Sequence, residues 1–261
     1  MNRLTQKLAK LKKENKKALV AYLVAGDPDI KSTPLLMKLL VDAGVDIIEI
    51  GVPFTDPIAE GPIIQKAHDR ALKQNISLSL IFNMIKNFRT EDNNTPIVLM
   101  GYLNTFISHK NLIKENEENA IDSILVVDIP GEFNLANYGL ESKKVSTISL
   151  ISPTTHKDRI QSIAQNSSGF VYYVTLRGVT GSSNLDIDEI SKNIEEIKKY
   201  ASVPTLAGFG IKSSEDAKLL SRCSDGVIIG SSIVKMIEES STSREFDRIT
   251  KYIREIKQAI S

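Results

Sequence analysis

Short apolar runs and amphipathic stretches alternate along the whole chain. Eight runs rich in β-branched and apolar residues fall at 18 to 25, 46 to 51, 96 to 102, 123 to 129, 146 to 152, 169 to 176, 203 to 209 and 226 to 231, each of strand length. Between them apolar residues recur at helical spacing, as in TPLLMKLLVDAG at 33 to 44, SLIFNMIKNF at 79 to 88 and IDEISKNIEEIKKY at 187 to 200. Runs such as ILVV and VIIG are apolar without a break, which marks strands covered on both faces and hence parallel strands joined by helices. Eight such units predict an α/β fold, one (β/α)8 TIM barrel over residues 1 to 261. The competing open doubly wound sheet expects a Gly-x-Gly-x-x-Gly turn after its first strand, and AGDPD at 25 to 29 does not supply one.

Two additions to the repeat are visible. Leu4, Leu8 and Leu11 stand at helical spacing ahead of the first strand, so the Lys-rich start reads as an amphipathic helix rather than a signal peptide. The gap between the second and third runs holds two helical patterns, 62 to 73 and 78 to 89, preceded by GVPFTDPIAEGP. One inserted helix therefore follows strand two. A long ordered connection at that point is where a barrel keeps function.

Composition narrows the ligand class. Lys and Arg number 33 against 32 Asp and Glu, a formal charge of +1, so nothing electrostatic favours nucleic acid or an anionic membrane over a small molecule or a protein partner. No apolar stretch approaches the ~20 residues of a membrane span. The single Cys223 forms no internal disulfide and reads as a buried thiol of a reducing, cytoplasmic setting.

Candidate chemistry is sparse. DIIEIG at 46 to 51 carries Glu49 between apolar neighbours, and the strand period turns it away from the face of Ile48 and Ile50. An unpaired buried carboxyl has a raised pKa and suits acid/base work; a structural ion pair is the alternative, but no strand core holds a Lys and Arg177 only follows the sixth. Absence of strand Lys also argues against a Schiff-base aldolase. His68, His109 and His156 fall in helical patterns or at their starts, as surface or helix-end residues rather than a metal cluster. GFGIKSS at 208 to 214 and GSSIVK at 230 to 235 are glycine-containing turns that each open a helix, the composition of an anion grip at loops seven and eight. RGVTGSSN at 177 to 184 reads equally as a mobile lid or an ordinary loop.

Taken together, IEIGVPFTDPIAEGP, LAGFG, RGVTG and IGSSIVK, with AGDPD, MGYLN and VVDIP, resemble the tryptophan synthase α-subunit family across essentially the whole chain. The resemblance implies retro-aldol cleavage of indole-3-glycerol phosphate to indole and glyceraldehyde 3-phosphate, with no metal or organic cofactor in this chain. It implies Glu49 in proton transfer and a second acid at Glu60, where the family usually has Asp. Tyr22, Met100, Ile151 and Tyr172 fall where the family lines its indole pocket, Tyr102 near the acid, and Thr180 in the lid. Gly181, Gly210, Gly230 and Ser231 match its phosphate contacts. The family also implies an α2β2 assembly with a pyridoxal-phosphate-dependent β subunit that joins indole to serine, with Pro53 and Asp56 on the side facing it.

The longer Glu60 leaves two outcomes: it works in place of Asp, or the chain is an impaired lyase kept to activate its partner. A third reading, a different phosphate-handling barrel such as an epimerase or isomerase, calls for strand-end His ligands or a strand Lys.

Overall fold

Alternation of side chains along eight short strands sets the architecture. In the computed structural model, which describes residues 2–175, 186–208, 210–240 and 246–261, α1 (Arg3–Lys13) leads into β1 (Ala18–Val24), α2 (Ser32–Asp42) and β2 (Ile47–Gly51). Two helices follow, α3 (Pro62–Leu72) and α4 (Leu78–Glu91), then β3 (Ile97–Gly101), α5 (Leu103–Ser108), α6 (Lys110–Asn116) and β4 (Ser123–Val126). The second half runs β5 (Ser146–Ile151), α7 (Lys157–Asn166), β6 (Val171–Val174), α8 (Ile187–Lys198), β7 (Thr205–Gly208), α9 (Ser214–Cys223) and β8 (Gly226–Ile229). The chain ends in α10 (Ser231–Glu238) and α11 (Asp247–Ala259). All eight strands pair in parallel and in order, with β8 closing onto β1.

The strands have two buried faces with different partners. Outward residues such as Leu19, Ala21, Ile48, Ile50, Leu99 and Tyr173 join the layer beneath the helices. Inward residues Val20, Ile47, Val98, Leu125, Ile148, Leu206 and Ile228 fill the barrel together with Leu4, Leu8 and Leu11 of α1. The amphipathic amino-terminal helix is thus a plug for one end of the barrel: its three leucines, spaced one turn apart, reach inward. Apolar runs outlast the paired strands at several ends. β6 covers Val171–Val174 within the run from 169 to 176, and β8 stops at Ile229 because Ser231 already opens α10.

The plugged end is bound by side-chain acceptors placed just before even-numbered strands. Asp46 accepts the Leu19 N–H at 2.9 Å, Asp122 the Ile97 N–H at 2.9 Å and Asp225 the Thr205 N–H at 2.8 Å. Ser168 does the same for Thr147 at 2.9 Å. Each satisfies a donor within the first two residues of the neighbouring odd strand. Asp122 also receives Arg3 Nε at 2.9 Å and Arg89 Nη2 at 3.1 Å, while Arg89 donates on to the Thr95 and Ala120 carbonyls. Removing this carboxylate strands two cations and a backbone donor. Asp122→Ala is expected to lower the unfolding free energy by about 3 kcal/mol in a urea titration, with the tyrosine signals from the opposite end of the barrel unchanged.

Candidate active site

Burial decides the state of Glu49. All of β2 is buried, and Glu49 itself is 1% exposed. Register sets it beside Tyr22 of β1 and Val98 of β3, on the inward face. Among the described residues its Oε1 has no hydrogen-bond partner. Loss of solvation, and then the charge of Glu60, push its carboxyl to about 8, so the group carries a proton at neutral pH.

Glu60 comes from the loop after β2 and is buried as well. The loop is folded back on itself: Gln65 of α3 donates to the Pro57 and Glu60 carbonyls, and Glu60 N–H reaches Pro57 O at 3.3 Å. The Tyr102 hydroxyl donates to Glu60 Oε2 and accepts the Ala59 N–H at 3.0 Å. Tyr102 in turn stacks on Phe54, with ring centroids 4.4 Å apart. Burial raises the Glu60 carboxyl above its ordinary value, with the Tyr102 hydrogen bond acting against that rise. The extra methylene of Glu60 thus ends in a defined hydrogen bond, not in free rotation.

Both carboxyls open onto a cavity of about 280 Å³ at the carboxyl ends of the strands. Of the residues expected from sequence, Tyr22, Glu49, Glu60, Met100, Tyr172, Gly210, Gly230 and Ser231 line it. Tyr102 lies behind Glu60. Thr180, Gly181 and the rest of the 177–184 segment lie outside the described residues. Ile151 is a correction: it pairs with Tyr173 and packs in the outer layer, and Leu150, one residue earlier, faces the cavity. Pro53 is a second correction. It is buried, so of the two residues placed toward a partner only Asp56 reaches the surface. Leu125, Val127, Leu150, Val174 and Ile228 complete the wall; strand parity could have found them, whereas Ile63 and Ile64 arrive only through the fold of α3.

The two glycine-containing turns differ in structure. The helix expected directly after GFGIKSS begins at Ser214 with a capping box, Ser213 Oγ accepting the Asp216 N–H while Asp216 accepts the Ser213 and Lys212 N–H groups. Its N-terminus is filled by its own acid. At α10, Gly230 caps without a side-chain bond, and Gly230 and Ser231 face the cavity. First-turn N–H groups and the helix dipole are therefore offered to an anion there. Gly210, at φ +75°, needs the left-handed region that glycine enters freely. Two other glycines make room for phenols: a Cβ at Gly51 would lie 2.2 Å from Tyr22 Oη, and one at Gly208 2.9 Å from Tyr172 Oη.

His68 departs from the expected surface position. It is 1% exposed, inside α3, and Nδ1 accepts the Phe54 N–H at 3.0 Å. His109 and His156 are exposed and precede α6 and α7, as expected. Cys223 is half-buried rather than buried, at the end of α9, its thiol donating to Leu220 O. Among the described residues no group of three or more His, Cys, Asp or Glu is arranged to hold a metal ion.

The raised carboxyl of Glu49 has a cost in stability. Unfolded, it titrates near 4.5, and folded near 8, so between those values the native state holds a proton that the unfolded chain has lost. Its contribution is fully present below pH 4.5 and declines as pH rises to about 8, by roughly 1.4 kcal/mol per unit. Glu49→Gln is expected to unfold near the parent's temperature at about pH 5 and several degrees above it at about pH 8, measured by calorimetry.

Comparison with known proteins converges on one family. The family model described as tryptophan synthase alpha chain matches residues 8–261. The tryptophan synthase alpha chain of Neisseria meningitidis serogroup B is 44% identical over 263 residues, all of both chains. Among solved structures, tryptophan synthase subunit alpha of Legionella pneumophila superposes with a TM-score of 0.89 at 35% identity, covering 100% of this chain and 98% of that one. A structure of the tryptophan synthase a2b2 complex of Pyrococcus furiosus gives 0.82 at 35% identity, covering 92% and 98%. With full-length relatives of 40–44% identity and a closed eight-strand barrel holding two buried acids, the chain belongs to the tryptophan synthase alpha chain family.

Proposed function

We propose that this chain cleaves indole-3-glycerol phosphate to indole and glyceraldehyde 3-phosphate, with Glu49 as acid and base and Glu60 as the partner of the indole ring. The observation that carries the assignment is Glu49: a fully buried, protonated carboxyl with an open oxygen on the wall of an apolar cavity. Such an acid protonates indole C3, and positive charge moves to the ring nitrogen. Glu60 accepts the indole N–H and stabilises that charge. The glycerol hydroxyl next to the ring then gives its proton to the Glu49 carboxylate. As its C–O bond becomes a carbonyl, the C–C bond breaks and its electron pair returns to the ring. Glu49 ends as it began, and no external acid or oxidant is needed. The aliphatic wall and the rings of Tyr22 and Tyr172 suit a flat apolar ring, and the uncapped start of α10 suits the phosphate.

The released indole passes, in this reading, to a pyridoxal-phosphate-dependent β subunit in a cytoplasmic α2β2 complex. The loop after β2 supplies the docking face: Asp56 is exposed and Ile58 is 83% exposed beside it, an apolar anchor of the kind protein interfaces bury. The pyridoxal phosphate belongs to that partner.

Purified protein supplied with indole-3-glycerol phosphate is expected to release indole, faster with a β subunit present. Glu49→Gln should lose roughly 10²–10⁴-fold in kcat with KM little changed. Glu60→Asp should lose about tenfold, because the shorter side chain starts from a backbone fixed by Pro57 and Gln65. Parent-level turnover by Glu49→Gln would refute its role, and a Glu60→Asp variant faster than the parent would refute that of Glu60.

A further inference from the structure

The Tyr22 hydroxyl stands between two kinds of neighbour. Tyr22 lines the same cavity as Glu60 and Glu49 and is the register partner of Glu49, and its hydroxyl lies over Gly51, two residues beyond Glu49. On the other side is the His68 ring of α3, Nε2 at 3.4 Å from Tyr22 Oη. The other ring nitrogen, Nδ1, is already the acceptor of the Phe54 N–H at 3.0 Å. An imidazole nitrogen that accepts an N–H bears no proton, so a neutral His68 carries its hydrogen on Nε2. Burial holds the ring neutral, its pKa lowered to about 4.

The direction of one hydrogen follows. Nε2–H faces a lone pair of Tyr22 Oη, so the phenol's own hydrogen cannot point at His68. That leaves the phenol hydrogen for the cavity that Tyr22 lines together with the two carboxyls.

We propose that His68 is a positioning residue for the lyase reaction: receiving the Phe54 N–H on Nδ1 and presenting Nε2–H to Tyr22, it turns the Tyr22 hydroxyl hydrogen toward the acid pair. The inference rests on the reaction proposed above. In that reaction Glu49 passes through its carboxylate after giving its proton to C3, and among the described residues no cation is among the influences on it. A hydroxyl already aimed at the carboxyl pair stabilises this charge without reorganising during the step. The same ring binds the loop that carries Glu60, since Phe54 also stacks on Tyr102. One side chain of α3 thus sets both the loop backbone and a donor on β1.

Substitutions separate the two ring nitrogens. His68→Gln keeps an N–H at the reach of Nε2, and His68→Asn keeps only an acceptor at the reach of Nδ1. Expected are a kcat within a few-fold of the parent for Gln, and a ten- to hundredfold fall for Asn and Ala with KM nearly constant. Tyr22→Phe, nearly isosteric, should fall equally, and the His68→Ala/Tyr22→Phe double variant should be no slower than the worse single one. Multiplying losses in the double variant, or parent-level kcat in His68→Asn, would overturn the proposal.

Nitrogen-15 spectra of ring-labelled protein test the contact without activity. Only three histidines contribute, and His109, with Nδ1 2.9 Å from the Thr105 carbonyl, should show the opposite tautomer. His68 should appear as one Nε2–H tautomer whose Nε2 resonance moves in Tyr22→Phe. A tautomer mixture, or a resonance that does not move, overturns the inference. Failure of the parent to release indole refutes the lyase reading instead, and the spectra still decide the contact.

Discussion

A carboxyl held inside a closed barrel, with no counter-charge among the described residues, is the constraint around which this protein is arranged. Glu49 faces inward because Ile48 and Ile50 on either side are taken by the outer layer, and a strand offers its residues only two directions. Moving β2 by one residue would expel the acid and drive both isoleucines into the barrel. The surrounding inward wall, Val20, Ile47 and Val98 among it, is aliphatic. That wall cannot solvate a charge, so it sets the protonation state as firmly as any specific partner would. Stability and readiness to give a proton therefore oppose each other at this position.

The two ends of the barrel carry different tasks. At the plugged end, the acids that precede β2, β4 and β8 are already committed: Asp46 to Leu19 N–H and Lys257, Asp122 to two arginines, Asp225 to Thr205 N–H and Lys198. Such groups are held by cations and backbone donors. At the other end, Glu49 keeps an unpartnered oxygen and α10 starts without a side-chain cap. Unsatisfied polar groups in a folded protein are expensive, and these two face the cavity, where a ligand can satisfy them.

Helix α3 ties the catalytic end together. Its first turn follows Glu60 directly, Gln65 folds the loop before it, and His68 reaches both that loop and Tyr22. Further along the same helix, Arg70 pairs with buried Asp27 after β1 and with Glu238 in the last turn of α10. The helix whose uncapped N-terminus faces the cavity is thus joined, at its far end, to the helix that follows the second acid. Side chains of a single inserted helix connect the ends of β1, β2 and β8.

Local chemistry, legible in the chain itself, determined most of the architecture. Eight continuous apolar runs with amphipathic stretches between them specify parallel strands and crossovers, the Leu4, Leu8 and Leu11 spacing specifies the plug, and an acid between isoleucines specifies a buried acid. These depend on periodicity, which neighbours in sequence fix. Tertiary structure decided what depends on parity at strand ends and on groups far apart in the chain. Family resemblance puts Ile151 in the pocket, yet Leu150 is there, because the pairing of Leu150 with Tyr172 sets which residue turns inward. The turn ahead of α9 has the composition of an anion site, and there Asp216 takes the Lys212 and Ser213 N–H groups while Gly210 lines the cavity. His68 has the pattern of a helix surface residue, and only the fold of the loop over it makes it buried, neutral and bonded at Nδ1. A residue's type and spacing limit what it is able to do; the donors and acceptors that the fold brings to it decide which of those things it does.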